Sequence, residues 1–297
     1  HALGGWSPLI AVLALELSYR CNLDCQMCPQ ATDGAGGGSR ASLGDMPMEI
    51  PESAIEEAGS ARGVRPQIHL IGGEVFLHRR FLEIVERIKE RRLVCSTTTN
   101  GSLLETAAPS LVRLGMDRIK VSLDGPRVVH NRIRGANWSY GRAMAGIEAV
   151  RREKARMGKT LPHLGANCVM MRDNIGHLFE VIDIAVEAGL EELNFQHLMF
   201  ADGQDHGIDV EQLVELLPRL RRRARERHLA LSFYPSLSPE QMRTYHTRPS
   251  RELGGTCLLP WLAMRVLADG SLSPCRGYVC GNVKPGASKM RKAWNGE

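Results

Sequence analysis

The chain has 297 residues, 43% of them hydrophobic and 24% charged, with a net charge of +5. That composition is ordinary for a globular protein and leaves room for one large α/β domain and a small appendage. The charge is too modest to call for nucleic acid or a membrane surface as partner, and eight cysteines are too few for a disulfide scaffold.

The first predicted strand is IAVLALELS at 10–18. The apolar run around it, Pro8 to Leu17, carries Glu16 and is too short to cross a bilayer. It lacks a basic segment before it and a small-residue cleavage site after it, so no signal peptide is expected and a reducing, cytoplasmic setting is. Directly behind the strand stands SYRCNLDCQMC, residues 18–28. Cys21, Cys25 and Cys28, so close together, suit a disulfide framework, a zinc site or an iron–sulfur site, and clustering in threes favours metal over pairing. A glycine-rich stretch at 33–45 reads as a flexible loop.

From there helix and strand alternate. Helices are predicted at 51–60, 79–92, 104–115, 139–157, 174–189 and 208–227, and strands at 67–72, 93–99, 118–124, 164–170 and 192–198, with a possible further strand at 228–234. The clearest helix, 79–92, places apolar residues at 81, 82, 84, 85 and 88, a helical stripe. The most basic stretch, 219–228, has acidic company and apolar spacing, which makes it the solvated face of a helix. Six alternations predict a parallel α/β sheet or barrel. Near 236 the pattern turns polar, then forms a hairpin at Asp269-Gly270. The chain therefore divides into 1–235 and 236–297, the second part too small for a generous core and suited to a metal staple.

One face of several strands is polar: Glu16 and Ser18, Gln67 and His69, Lys120 with Ser122 and Asp124, Asn194 and Gln196. Polar side chains converging inside a barrel are costly unless they bind a ligand or each other, so this face predicts a polar ligand cavity. Cys95 and Cys168 fall on strands, where a free cysteine is usually packing; the alternative for Cys168 is a hydrogen-atom donor to a substrate radical. His69 is a possible base, while His130 and His197 carry no assigned role.

Zinc sites generally use two separated ligand pairs, and no second pair stands near the first three cysteines. Three thiolates on one short loop fit three irons of a cubane and leave the fourth open. With its companions, this CxxxCxxC loop makes the chain resemble the radical S-adenosylmethionine (SAM) superfamily. The companions are IGGEVFLH at 71–78, TTNG at 98–101 and VSLDGP at 121–126. The resemblance implies a partial (β/α)6 barrel with Cys21, Cys25 and Cys28 on a [4Fe–4S] cluster. It further implies Gly72, Gly73 and Glu74 at the methionine amine of SAM, Ser122 and Asp124 at its ribose and carboxylate end, and Met27 against adenine. Val75 departs from the proline common in relatives. The tail resembles the SPASM/twitch extension, which implies an auxiliary iron–sulfur cluster on Cys257, Cys275 and Cys280, without the further cysteines of a full SPASM tail.

What the resemblance implies in function is reductive cleavage of SAM to a 5′-deoxyadenosyl radical that takes hydrogen from an unactivated carbon, with an electron donor such as a flavodoxin or ferredoxin. Glu16, His69, Lys120, Asn194 and Gln196 are the expected substrate pocket. The polar lumen and the short segment before the first strand point to a small polar metabolite (a sugar, aminosugar or nucleoside) undergoing dehydrogenation or epimerisation, as in natural-product biosynthesis. The alternatives are a maturase acting on a ribosomal peptide and, outside enzymes, an iron–sulfur scaffold or redox sensor.

Overall fold

A computed structural model of the chain describes residues 10–28, 44–61, 64–198, 208–247, 262–275 and 278–283. In chain order the elements are β1 (Val12–Glu16), α1 (Glu49–Gly59), β2 (Gln67–Ile71), α2 (Phe81–Glu90), β3 (Cys95–Thr99), α3 (Leu104–Leu114) and β4 (Arg118–Ser122). They continue as α4 (Arg127–Arg134), α5 (Ser139–Met157), β5 (His163–Met170), α6 (Leu178–Glu187), β6 (Glu192–His197), α7 (Val210–Glu226), β7 (Ala230–Tyr234) and α8 (Pro239–Thr247). Three short strands follow: β8 (Ala263–Val266), β9 (Ser271–Ser273) and β10 (Gly281–Asn282).

Among the described residues all ten strands form one sheet, in the order β10-β9-β8-β1-β2-β3-β4-β5-β6-β7. The run β1 to β7 is parallel and in sequence order. That is the α/β strand order expected from the sequence, with the seventh strand present. The helices lie against its apolar face. α2 shows why: its stripe buries Phe81, Ile84, Val85 and Ile88, each contributing about 1.5–3 kcal/mol. α7 starts where the Asp209 carboxylate accepts from the backbone N–H groups of Glu211 and Gln212.

Two helices stand where none was predicted. α4 buries Val129 and Ile133 but also His130 and Arg134, so its inner face shows no apolar stripe. α8, in the stretch read as turn-rich, buries Met242 and Tyr245. The hairpin β8–β9 turns at the expected Asp269-Gly270, where Gly270 N–H donates to Leu267 O at 2.8 Å. β8 runs parallel to β1 and pairs with it, so the tail continues the barrel's own sheet. Met264, Val266, Leu272 and Val283 join the single large apolar core. Among the described residues no helix is long and apolar enough to cross a membrane.

Candidate active site

The polar strand positions meet inside the curve of the sheet. Along β2 and β6 buried and half-buried residues alternate. The half-buried set forms a linked layer. Gln67 Nε2 donates to Ser96 Oγ at 2.5 Å, and His69 joins Ser96 Oγ at 2.8 Å and Thr98 Oγ1 at 3.3 Å. Asn167 Nδ2 donates to Thr98 Oγ1 at 3.4 Å, and Lys120 pairs with Glu192 at 3.3 Å. Burial, with Lys120 beside it, holds the His69 pKa down to about 4, so the ring is neutral at neutral pH. Two acceptors in this layer have no partner among the described residues: Asn167 Oδ1 and Asn194 Oδ1. They sit on residues directly paired across β5 and β6. A buried, unsatisfied oxygen costs about 1–3 kcal/mol, and two side by side are a binding feature for N–H donors. Glu16 is otherwise engaged: it accepts from the Tyr19 hydroxyl at 2.8 Å and pairs with Arg265 of β8.

Above this layer the loop after β1 carries Cys21, Cys25 and Cys28. It is held from four sides. Gly73 N–H donates to Ser18 O at 2.7 Å and Glu74 N–H to Arg20 O at 2.8 Å. A Cβ on Gly72 would stand 2.4 Å from Ser18 O, and one on Gly73 2.3 Å from Arg20 O, so the glycine pair admits the backbone that leads into the cysteines. Arg20 is forked onto Asp45 and also donates to Leu77 O at 2.5 Å. On the far side Gln26 N–H donates to Ile133 O at 3.0 Å. There Gly135, at φ 69, lets the α4 end close on Asp24.

Two side chains from outside the loop point N–H groups at its sulfurs. Asn100 Nδ2 lies 3.9 Å from Cys21 Sγ and 2.9 Å from Asn22 Oδ1. Arg134 Nη1 lies 3.7 Å from Cys25 Sγ. Burial pushes the Cys25 thiol up to about 11 against the pull of Arg134, and raises that of Cys21 too. A ligating metal must therefore displace their protons. Among the described residues no three His, Cys, Asp or Glu side chains close on a point that could hold one metal ion, as a zinc site would require. Thiols serving three different irons stand further apart. The donors on sulfur and the glycine cradle fit an iron–sulfur cluster on this loop.

The motif residues behind the loop brace it. Glu74 is fully buried; Oε1 accepts from Thr99 Oγ1 at 2.7 Å and Oε2 from Asn100 N–H at 2.8 Å. Burial raises its pKa and these bonds moderate the rise. Asp124, expected at the SAM ribose or carboxylate, is instead fully buried. It accepts from Arg134 Nε at 2.6 Å and Val169 N–H at 3.1 Å. Both oxygens are engaged within the protein, so its work is to aim Arg134. Arg134 stays charged because Asp124 and Cys25 outweigh its burial. Ser122 ends β4 opposite Asn167. Met27 packs near a small apolar cluster of Val129, Ile133, Met171 and Leu198, alongside Val169.

Cys168 is a correction. Its neighbour Asn167 turns to the lumen, so Cys168 lies on the other face, fully buried in the apolar core with Asn174 Nδ2 at 3.7 Å. It cannot reach a substrate in the lumen. Cys95 is likewise core. Of the tail cysteines, Cys257 lies outside the described residues. Cys275 is exposed and bridges to Tyr278, and Cys280 Sγ reaches Leu272 O at 3.5 Å. Asn100, Arg134, Asn167 and Arg265 were not singled out from the sequence. Asn100 stood inside a motif already quoted, and Asn167 has the same alternation as the polar strand face.

The radical SAM superfamily model matches residues 15–167, and the chain belongs to that superfamily. It is similar to a probable GTP 3′,8-cyclase of Sulfurisphaera tokodaii, 32% identical over 63% of this chain and 55% of the relative. It is also similar to a PqqA peptide cyclase of Ruegeria pomeroyi, 30% identical over 90% of this chain and 67% of the relative. The chain thus spans about half the length of the first relative. In fold it resembles Streptococcus suis SuiB bound to its precursor peptide SuiA, with a TM-score of 0.75 at 15% identity, over 99% of this chain and 66% of SuiB.

Proposed function

We propose that this chain is a SAM-cleaving iron–sulfur enzyme that modifies a peptide. Cys21, Cys25 and Cys28 would hold a [4Fe–4S] cluster, with Asn100 and Arg134 donating to two of the sulfurs. The Gly72–Gly73 backbone, Ser122 and Met27 would seat SAM. Bound together, cluster and SAM supply homolytic chemistry that removes hydrogen from an unactivated carbon. The barrel excludes water from that carbon, and Asn167 and Asn194 accept N–H groups of the substrate. The C-terminal segment would form an auxiliary site on Cys257, Cys275 and Cys280.

The observation that carries the peptide reading is the similarity to a peptide cyclase over 90% of this chain. It displaces the sugar-type metabolite expected from the polar lumen, since amide groups satisfy that lumen equally well. A second reading, a purine nucleotide substrate, rests on the similarity to GTP cyclases, over as much as 89% of this chain, and on the two amide oxygens, which suit guanine N–H donors.

The test incubates reconstituted protein, SAM and a reductant with a peptide encoded beside its gene, or with GTP. A change in peptide mass with GTP untouched is expected. Consumption of GTP with the peptide unchanged would move the function to the second reading.

A further inference from the structure

The radical SAM reading requires an electron to reach the Cys21–Cys28 loop from outside, and the surface over that loop has a distinctive charge. Between Gly125 and Ile147 there are four arginines and no Asp or Glu. Arg134 is turned inward onto Asp124. Arg127, Arg132 and Arg142 are exposed, and among the described residues none of the three forms an ion pair. Arg127 lies over the Tyr140 ring at 5.3 Å and Arg142 over Trp138 at 4.6 Å, which fixes their positions while leaving the charge unneutralised.

The equally basic helix α7 is different. Arg223 and Arg227 pair with Asp183, and Arg222 with Glu226. Arg219 and Arg221 lie over Phe179 and Phe233. Among the described residues three of the six arginines at 219–227 are thus ion-paired, against none of the three exposed ones at the corner.

The elements that carry these corner arginines lead into an opening to the cysteines, and Arg142 lies over Trp138 in its lining. A groove of about 640 Å³ is lined by Cys21, Asn22 and Asp24 from the loop and by Gly135 and Trp138 from the α4–α5 corner. Cys21 is exposed beside it. Val128, on the outer side of α4, is 70% exposed and gives the same face an apolar contact. Asp24 is the one acid among the residues lining the groove, and Glu187 is close enough to Tyr140 to act on its hydroxyl electrostatically. Electron transfer weakens steeply with distance, so a donor must approach where the loop meets solvent.

We propose that the α4–α5 corner, which carries exposed Arg127, Arg132, Arg142 and Val128 and lines the Cys21 groove with Gly135 and Trp138, is the docking surface for an acidic, low-potential one-electron carrier protein. One electron passes from the carrier, which is oxidised, to the loop-held cluster, which is reduced; no bond forms or breaks. Complementary charge of this kind acts on encounter rate and its salt dependence. The inference rests on the cluster assignment but on no choice of substrate.

The test uses reconstituted protein and reduced flavodoxin as the acidic probe, with dithionite as a small-molecule control. Flavodoxin affinity, and the rate of cluster bleaching it drives, are measured at several salt concentrations. In the R127E/R132E/R142E variant flavodoxin affinity is expected to fall about tenfold or more and its salt dependence to flatten, while dithionite bleaches the cluster at the wild-type rate. The neutral R127Q/R132Q/R142Q variant, which preserves more packing, should lie between. Reversal on α7, R222E/R225E, should leave flavodoxin affinity within about twofold. Unchanged flavodoxin affinity in both corner variants would overturn the proposal, as would an equal loss in the α7 variant. Weakened binding of an acidic peptide alone, with flavodoxin unaffected, would assign the surface to substrate and overturn it too. If dithionite bleaches no cluster in the wild type, the cluster reading fails and the proposal falls with it.

Discussion

At the amino-terminal loop, Cys21 and Cys25 receive side-chain N–H groups from Asn100 and Arg134, and the loop backbone is bonded to segments after β2 and to α4. At the carboxy-terminal hairpin, Cys275 is exposed and the described polar contact of the Cys280 thiol is the Leu272 carbonyl. The first site is built by the fold before any metal arrives. In the second, backbone of a short hairpin holds the cysteines, and a bound cluster would itself supply order. The two should therefore respond differently to the same insult.

Replacing cysteines separates them most sharply. Cys21→Ala, Cys25→Ala and Cys28→Ala together should reduce SAM cleavage to background, lower iron from about eight to about four per chain, and leave the barrel's melting temperature little changed. Cys275→Ala with Cys280→Ala should lose the same share of iron but also loosen the tail, read as faster proteolysis of the 262–283 segment. If the first variant unfolds and the second does not, the comparison is reversed.

The bracing itself is the next target. Arg134→Met leaves Asp124 buried without its partner, and breaking such a pair costs about 3–5 kcal/mol, measurable by denaturant unfolding of the metal-free protein. Adding Asp124→Asn should recover part of that loss. Arg265→Met, which unpairs Glu16 from the tail, should cost less, because Arg265 is about one-third exposed.

Acid should loosen the fold through His130 and His197. Burial holds both near a pKa of about 4, while in the unfolded chain they titrate near 6.5. The unfolded state thus binds more protons between these values, so stability rises with pH across that window and is lost as pH falls through it, by at most about 3 kcal/mol per ring. Asp124, Arg134 and Tyr140 surround His130, and His246 and Tyr245 surround His197. Unfolding curves at pH 7 and pH 5 should show the difference, and His197→Phe should reduce it.

The smallest effect compares two glycines. Gly73→Ala puts a methyl against Arg20 O and should cost about 1–3 kcal/mol and reduce cluster retention. Gly176→Ala meets nothing within 4 Å and should stay within about 0.5 kcal/mol.

The same division governs what the sequence discloses. Periodicity places β1 to β7 and six of the helices, because each has one apolar face. The Cys21–Cys28 loop and Gly72-Gly73-Glu74 are local in sequence and carry their chemistry at fixed spacing. Arg134 was hidden because its partners, Asp124 and Cys25, lie on other elements and because α4 buries charge. The Glu16–Arg265 pair depends on β8 adding to β1, a contact between strands some 250 residues apart in sequence that no local pattern encodes. Cys168 shows parity at work: alternation with Asn167 puts it on the core face, as the packing reading of a strand cysteine has it and against its alternative as a hydrogen donor.

If the protein-built loop of Cys21, Cys25 and Cys28 holds a cluster that cleaves SAM, it should do so without the tail cysteines. Electron paramagnetic resonance of the anaerobically reconstituted, dithionite-reduced Cys275→Ala/Cys280→Ala variant isolates that loop. A [4Fe–4S] signal that shifts on adding SAM, with release of 5′-deoxyadenosine, is predicted. A signal indifferent to SAM, with no 5′-deoxyadenosine formed, would contradict it.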